Sequence, residues 1–112
     1  MVNTQNMHGH LMPYAYENIT VSNTPIGFTA TKVVPVTSKA ERDLGTARLV
    51  VVTVEDASIR FTVHGVDPDA GTTGHLIASG TILDFANLQT MLQFRAIRAT
   101  ATDAKLKVTY YR

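Results

Sequence analysis

The stretch IRFTVHGVDPDAGTTGH, residues 59–75, decides the fold of this chain. Ile59, Phe61 and Val63 alternate with polar residues, and this period of two is typical of a half-buried strand. The residues that follow are rich in Asp, Pro and Gly, which favour turns through local hydrogen bonds or special backbone angles. The stretch therefore predicts a core strand that ends in a long polar turn.

Further runs of β-branched residues lie on both sides of this stretch. The run ARLVVVTV at 47–54 is apolar on both faces, as expected of a central strand, and we predict that it pairs antiparallel with the strand at 59–63. The run KLKVTYYR at 105–112 alternates, with one apolar face directed inward. That face comprises Leu106, Val108 and Tyr110. Further strands are predicted at 17–22, 26–36 and 81–85.

Two segments fit more than one structure. Residues 88–99 (LQTMLQFRAIRA) have apolar spacings that suit either a helix or a strand, and we predict a strand from about Met91. Residues 37–45 (TSKAERDLG) are the most charged part of the chain and predict a loop or a single helical turn that Gly45 ends. The charged segment separates the predicted strands on either side of it.

The pattern as a whole predicts an all-β protein. Short strands with a turn signal roughly every 8–12 residues are typical of a single antiparallel β-sandwich or small barrel of about seven to eight strands. The length of 112 residues favours one domain. We predict an irregular, extended N-terminal arm at 1–16 and a β-sandwich domain at 17–112.

Composition narrows the classes of function. Ten basic and nine acidic residues give a net charge of +1, so there is no electrostatic case for nucleic acid or a membrane surface as a partner. The absence of cysteine excludes disulfides, thiolate metal sites and a thiol nucleophile. Neither a secretory signal nor an apolar run of the ~20 residues that span a bilayer is found in the sequence. We expect a soluble protein made in a cytoplasm.

The N-terminal arm, MVNTQNMHGHLMPYAY, follows no helical or strand period. Two interpretations stay open: a frayed terminus, or an arm that becomes ordered on a neighbouring subunit. The second is favoured by Leu11, Met12, Tyr14 and Tyr16, because Met and Tyr suit protein interfaces. These four residues are our first candidate interface.

None of the catalytic or metal-binding motifs suggested by the sequence is complete. His8-Gly9-His10 lacks the third and fourth ligands of a defined zinc site. Asp67, Asp69 and His75 could form part of a hydrolytic or calcium site, but a nucleophile elbow and a distal glutamate are both missing. We therefore predict no catalytic, cofactor-binding or metal-binding residues.

The polar turn instead becomes a second candidate interface. Aspartates beside Pro and Gly usually form turns through their own side chains. The turn residues that could contact a partner are Asp67, Pro68, Asp69 and His75. Tyr111 is added because Tyr110 and Tyr111 point to opposite faces of the last strand, which leaves one of them free for a partner.

Three stretches together resemble a known group of proteins. They are ITVSNTPIGFTA, ASIRFTVHGVDPDAGTTGHLIASGTILDF and LQFRAIRATATDAKLKVTYYR, which cover roughly residues 19–112. Their order resembles that of small structural proteins of tailed bacteriophages. In these proteins an arginine-bearing strand is followed by a Gly-X-X-Pro turn, a Gly-His step, a Phe-Arg-Ala-Ile-Arg segment and a strand ending in tyrosines. The N-terminal arm lies outside the resemblance.

The resemblance implies a non-enzymatic virion protein of β-sandwich type, made in the host cytoplasm and located in the virion. It implies a capsid decoration or cement protein, or else a neck or tail accessory protein. The implied partners are the major capsid protein or neck and tail proteins, together with further copies of the chain in a homo-oligomer. No cofactor is implied.

A second class of function stays open at this point. A hairpin like that at 59–75 also occurs in accessory sandwich domains of glycosidases, which would fit a carbohydrate-binding or host-recognition module that uses the loop at 65–74. The chain has no tryptophan, and sugar platforms commonly use exposed aromatic faces. Composition therefore favours the virion interpretation.

Overall fold

The computed structural model describes residues 11–112, which form seven strands and three short helices. The elements in chain order are β1 Pro13–Val21, α1 Ala30–Val33, α2 Lys39–Leu44, β2 Leu49–Glu55, β3 Ile59–Thr62, β4 His75–Ile77, β5 Ile82–Phe85, α3 Leu88–Gln93, β6 Arg95–Arg98 and β7 Ala104–Tyr111. None of the helices in this part of the chain is long and apolar enough to span a bilayer.

The strands form two antiparallel sheets that enclose one core. The four-stranded sheet has the order β1-β7-β2-β5, and the three-stranded sheet has the order β4-β3-β6. Buried side chains from both sheets belong to a single apolar cluster. The predicted all-β fold is therefore confirmed, with two sheets that face each other across the core.

The predicted pairing of the two central strands is wrong. β2 lies between β7 and β5, whereas β3 lies between β4 and β6 in the opposite sheet. The turn between them contains Asp56, whose φ of 75° lies in the left-handed region, and the chain crosses from one sheet to the other there. The sequence pattern is the same whether the two strands form a hairpin or belong to opposite sheets. In both arrangements Val54 and Ile59 face the core, so the apolar residues alternate in the same way.

The first strand begins earlier than predicted. β1 starts at Pro13 and pairs with β7, so residues 13–16 are part of the sandwich and not of an irregular arm. The register shifts between Pro13 and Ala15, and this irregularity interrupts the strand period that would have marked the segment. The remainder of the predicted arm, residues 1–10, lies outside the described residues, as does His8-Gly9-His10.

The predicted strand at 26–36 is also wrong. Ile26 makes one antiparallel bridge to Ala96, and the chain then turns into helix α1. The helical turn places Val33 in the core, where it is almost completely buried. The β-branched composition of this run favours a strand. The chain instead forms a helical turn that buries Val33, in addition to Phe28.

Helix α2 confirms the helical turn predicted at 37–45. The Ser38 side chain accepts a hydrogen bond from the Glu41 backbone N–H at 3.1 Å, which caps the helix at its start. Gly45 ends the helix with a φ of 87°, a conformation that favours glycine.

At 88–99 the structure contains a helix followed by a strand. α3 occupies Leu88–Gln93, with Asn87 accepting a hydrogen bond from the Thr90 N–H at 3.1 Å, and β6 begins at Arg95. The predicted strand from Met91 is thus wrong up to Gln93 and correct from Arg95. The helix buries Met91 and presents Phe94 to the core directly afterwards.

The core is aromatic at its centre and β-branched around it. Phe28 and Phe94 stack with centroids 4.3 Å apart and ring planes 5° apart. Phe61 from β3 and Phe85 from β5 pack on the same group, with centroids 5.8 Å and 5.5 Å from Phe94. The predicted inward face of β7 is confirmed, since all three of its residues are fully buried: Leu106, Val108 and Tyr110.

Candidate interaction surfaces

The outer face of the four-stranded sheet carries exposed aromatic and apolar side chains. Its register sets Pro13 opposite Tyr111, and Tyr16 and Val51 on either side of Thr109. Tyr110 points into the core, so Tyr111 points outward, and Tyr16 is 54% exposed on the same face. We call the surface formed by Pro13, Tyr16, Val51 and Tyr111 the tyrosine face.

A polar row borders the tyrosine face along the strands. The next outward positions are Asn18, Lys107 and Thr53, which lie side by side in the register of β1, β7 and β2. The Tyr16 hydroxyl donates to the Asn18 side-chain oxygen at 2.8 Å, and this bond orients the exposed ring. The structure thus brings together two predicted interface residues, Tyr16 and Tyr111, beside a polar margin.

The other residues of the first candidate interface have different surroundings. Met12 pairs with Arg112 through two backbone hydrogen bonds of 3.0 and 3.1 Å, and its side chain is exposed. Leu11 is half-buried. Tyr14 faces into the protein, where its hydroxyl donates to the Lys32 carbonyl. Tyr14 therefore contributes to internal packing, whereas Met12 is exposed at the end of the sheet.

An ion pair fixes the end of the sheet next to the tyrosine face. The Arg112 guanidinium donates to both carboxylate oxygens of Glu41 at 2.8 and 3.3 Å, and to the Gly45 carbonyl at 3.3 Å. It also lies 4.3 Å above the Tyr14 ring. The hydrogen bond from Arg112 lowers the pKa of the Glu41 carboxyl, whereas burial raises the pKa of the Tyr14 hydroxyl. These contacts hold β1 and β7 against α2.

A second polar group joins the two ends of the chain inside the sandwich. The Glu17 carboxylate accepts hydrogen bonds from the Tyr110 hydroxyl, from the Thr29 hydroxyl at 2.6 Å and from the Thr29 N–H at 3.2 Å. Burial and the adjacent carboxylate raise the pKa of Tyr110 far above its usual range. The sequence offered no signal for this contact, because Glu17 and Tyr110 are 93 residues apart.

The polar turn after β3 is held by two side chains from the strand. The Thr62 hydroxyl donates to the Val66 carbonyl at 2.5 Å. Arg60 donates to the Ala70 carbonyl at 3.0 Å and to the Gly74 carbonyl at 3.1 Å. Asp69 accepts from the Gly71 N–H at 2.7 Å, which confirms its predicted role as a turn former. Gly74 has a φ of +114°, and a Cβ there would lie 3.0 Å from the Phe61 carbonyl oxygen. The turn is therefore braced at both ends.

The candidate residues of this turn are unevenly exposed. Asp67 and His75 are exposed, and the His75 ring packs 5.3 Å from the Phe61 ring. Pro68 is buried beneath the turn. Within residues 11–112 the structure shows neither a pocket nor three acidic or histidine side chains grouped to hold a metal. The turn follows the three-stranded sheet, so it is separate from the tyrosine face on the other sheet.

The two lateral sides of the sandwich differ in whether backbone hydrogen bonds connect the two sheets there. On one side the segment 22–29 joins the sheets: Ile26 and Ala96 exchange backbone hydrogen bonds of 3.0 and 2.8 Å, and the Arg98 N–H donates to the Ser22 carbonyl at 2.9 Å. On the other side β4 and β5 are the last strands of their sheets among the described residues. We call these the closed side and the open side.

The open side exposes large apolar residues. Leu76 in β4 is 57% exposed and Ile82 in β5 is 67% exposed. Leu83 and Phe85 face the core but stay half-buried, since no further strand covers them among the described residues. Sequence reasoning missed this side, although the run HLIASGTILDF at 75–85 has Asp84 as its only acidic or basic residue apart from the histidine.

Comparison of the chain with models of protein families, with curated proteins and with solved structures finds no match in any of the three. The case for a function therefore rests on the surfaces described above and on the sequence stretches quoted earlier.

Proposed function

We propose that this chain is a non-enzymatic structural protein of a bacteriophage virion, and specifically a decoration protein that binds the major capsid protein and stabilises the particle. The observation that carries the proposal is the tyrosine face. The resemblance of residues 19–112 to small phage structural proteins supports a role in the virion. The exposed tyrosine face supports binding to the surface of another protein.

The composition of the tyrosine face supports a protein partner. Tyrosine is enriched at interfaces because its ring buries a large apolar area at a small cost in side-chain entropy while its hydroxyl stays hydrogen-bonded. Pro13 is the register partner of Tyr111, and Tyr16 and Val51 lie on either side of Thr109. The row with Asn18 and Lys107 supplies a polar margin, and interfaces commonly have a polar rim.

The rigidity of the surface supports a stabilising role. Strands β1, β7 and β2 that present the tyrosine face are hydrogen-bonded along their lengths, and Arg112 fixes their end to α2 through Glu41. A preorganised face loses little conformational freedom when it binds. Binding to the assembled particle but not to free capsid subunits would stabilise the assembly by mass action.

Capsids assembled without this chain, from the phage that encodes it, provide the test. We expect the purified protein to cosediment with them at saturable stoichiometry. Replacing Tyr16 and Tyr111 together by Ser should weaken binding by about 10-fold or more, as for loss of interface hot spots. Leu76→Ser, at a comparably exposed residue of the three-stranded sheet, is the matched control and should change binding little. Unfolding curves for each protein establish that the variants fold.

Three results would count against the proposal. Failure of the wild-type protein to bind such capsids would contradict the decoration role, and binding to tails alone would favour a neck or tail accessory protein. Binding to a glycan array that depends on the loop at 65–74 would favour a carbohydrate-binding module. Equal binding by the wild type and the double tyrosine variant would remove the tyrosine face from the interface.

A further inference from the structure

The edge strand β5 has backbone groups that face away from its own sheet. The Val54 N–H donates to the Thr81 carbonyl at 2.9 Å, and the Gly80 N–H donates to the Val54 carbonyl at 2.6 Å, so the backbone of Val54 points toward β5. Backbone direction alternates along a strand, and Val52 is therefore directed at its register partner Leu83. It follows that the N–H and C=O groups of Ile82 and Asp84 point away from β2, toward an edge where no other strand of residues 11–112 pairs.

The side chains of this edge offer little of the protection that natural edge strands carry. Edges are usually blocked by Lys, Pro, a bulge or a covering loop. β5 has the sequence ILDF, with Asp84 as its only charge and Ile82 two-thirds exposed. The closed side of the same sandwich shows the contrast, since Ile26 and Ser22 there form backbone hydrogen bonds with β6.

We propose that β5 pairs antiparallel with β5 of a second copy of this chain, about a two-fold axis through Ile82. The four-stranded sheets of the two copies would then form one continuous sheet of eight strands. A two-fold axis makes an antiparallel strand complementary to itself, because the outward N–H and C=O of Ile82 meet the C=O and N–H of Ile82 in the other copy. The Gly80 N–H stays bonded to Val54 in its own sheet, so the pairing is short and centred on Ile82.

The position of charge selects the register. With Ile82 opposite Ile82 of the second copy, two exposed apolar side chains become neighbours and Asp84 lies opposite Gly80 of the second copy. With Asp84 at the axis, two carboxylates would be directly opposed, and like charges at opposed positions are destabilising. A register centred on Leu83 would place each Asp84 against an isoleucine. The register centred on Ile82 is the one that separates the acids and joins the apolar residues.

This pairing goes beyond the proposed function, since it requires neither a capsid nor the tyrosine face. A strand of four residues makes a small interface, so we expect a dissociation constant in the micromolar range rather than an obligate dimer. Self-association at the open side would leave the tyrosine face of each copy free for another partner.

Cysteine cross-linking tests the register directly, because the natural chain contains no cysteine. Directly opposed residues of a hydrogen-bonded antiparallel pair have Cα atoms about 5.5 Å apart, within the range of a disulfide. Ile82→Cys should therefore give a disulfide-linked dimer under mild oxidation, whereas Asp84→Cys should remain largely uncross-linked. Efficient cross-linking by Asp84→Cys but not by Ile82→Cys would overturn the proposed register.

Sedimentation velocity over a range of concentrations tests the association itself. The wild-type protein should shift from monomer to dimer as its concentration rises, and Ile82→Lys should stay monomeric at concentrations at least about 10-fold higher. Leu44→Lys removes a comparably exposed apolar residue, 59% accessible on α2, and should dimerise as the wild type does. A wild type that is monomeric throughout, or a dimer that Ile82→Lys leaves intact, would overturn the proposal.

Discussion

Replacing Phe94 by Ala should lower the free energy of unfolding by about 3–5 kcal/mol, the usual cost of truncating a buried phenylalanine. Phe94 is fully buried and stacks on Phe28 at 4.3 Å. It also contacts Phe61 in one sheet and Phe85 in the other, so the truncation leaves a cavity at the point where the two sheets meet. A domain of this size is stable by about 5–15 kcal/mol, so the variant should be close to its unfolding threshold.

Urea denaturation followed by circular dichroism measures this effect. Leu92→Ala is the matched control, because Leu92 lies two residues before Phe94, in α3, but is 38% exposed. It should lose much less stability than Phe94→Ala, since less apolar area returns to water. If both variants lost the same amount, the aromatic cluster would not be the centre of the core.

Gly27→Ala should lower the free energy of unfolding by about 1–3 kcal/mol, the typical cost of forcing an extra group into a packed site. A Cβ at Gly27 would lie 2.6 Å from the Phe94 carbonyl oxygen and would also collide with the Arg95 guanidinium. The arginine could move, but the carbonyl is fixed by the bridge between Ile26 and Ala96. The closed side of the sandwich would therefore have to loosen.

The same substitution at Gly71 provides the control for Gly27→Ala. A Cβ at Gly71 would meet only the Asp69 side-chain oxygen, at an ordinary distance of 3.5 Å, and the residue does not have a positive φ. Gly71→Ala should leave stability almost unchanged or raise it by up to about 1 kcal/mol, because alanine restricts the unfolded chain. Thermal unfolding of the two variants side by side makes the comparison. A harmless Gly27→Ala would contradict the close approach of segment 22–29 to β6.

The parts of the fold that depend on local pattern are visible in the sequence. β7 alternates without interruption, and its inward residues could be named in advance. Ser38 and Gly45 mark the two ends of α2 with residue types that helix ends prefer. In each case the signal lies within a few neighbouring residues, so no knowledge of the rest of the chain is needed.

The parts that depend on distant partners are not visible. The connection from β2 to β3 passes between the sheets, but its apolar spacing would also fit a hairpin. The apolar spacing of the helix at Leu88–Gln93 would also fit a strand. The irregular register at Pro13 disguises the start of β1, and the contact between Glu17 and Tyr110 joins residues from opposite ends of the described chain. Only the packing of the two sheets selects among these alternatives.

The same distinction applies to the candidate surfaces. Tyr16 and Tyr111 could be named from composition and alternation, but their common face follows from the pairing of β1 with β7. Tyr14 has the same chemistry as Tyr16, yet it is turned inward to Lys32. The open side needs the strand order itself, since an edge strand is defined by the neighbour that it lacks among the described residues.

Together the surfaces describe a rigid sandwich with two separate places for association. The tyrosine face lies on the outside of the four-stranded sheet, and the β5 edge lies at its border. The two proposed contacts therefore use different parts of the sheet.

Quantitative mass spectrometry is the most direct test of the proposed virion role, applied to purified virions of a phage whose genome carries this sequence. The chain should be present in many copies per particle, in a fixed ratio to the major capsid protein, and should remain after gradient purification. A ratio of only a few copies per particle would favour a neck or tail position. A chain that is abundant in infected cells but absent from purified virions would contradict the proposed function.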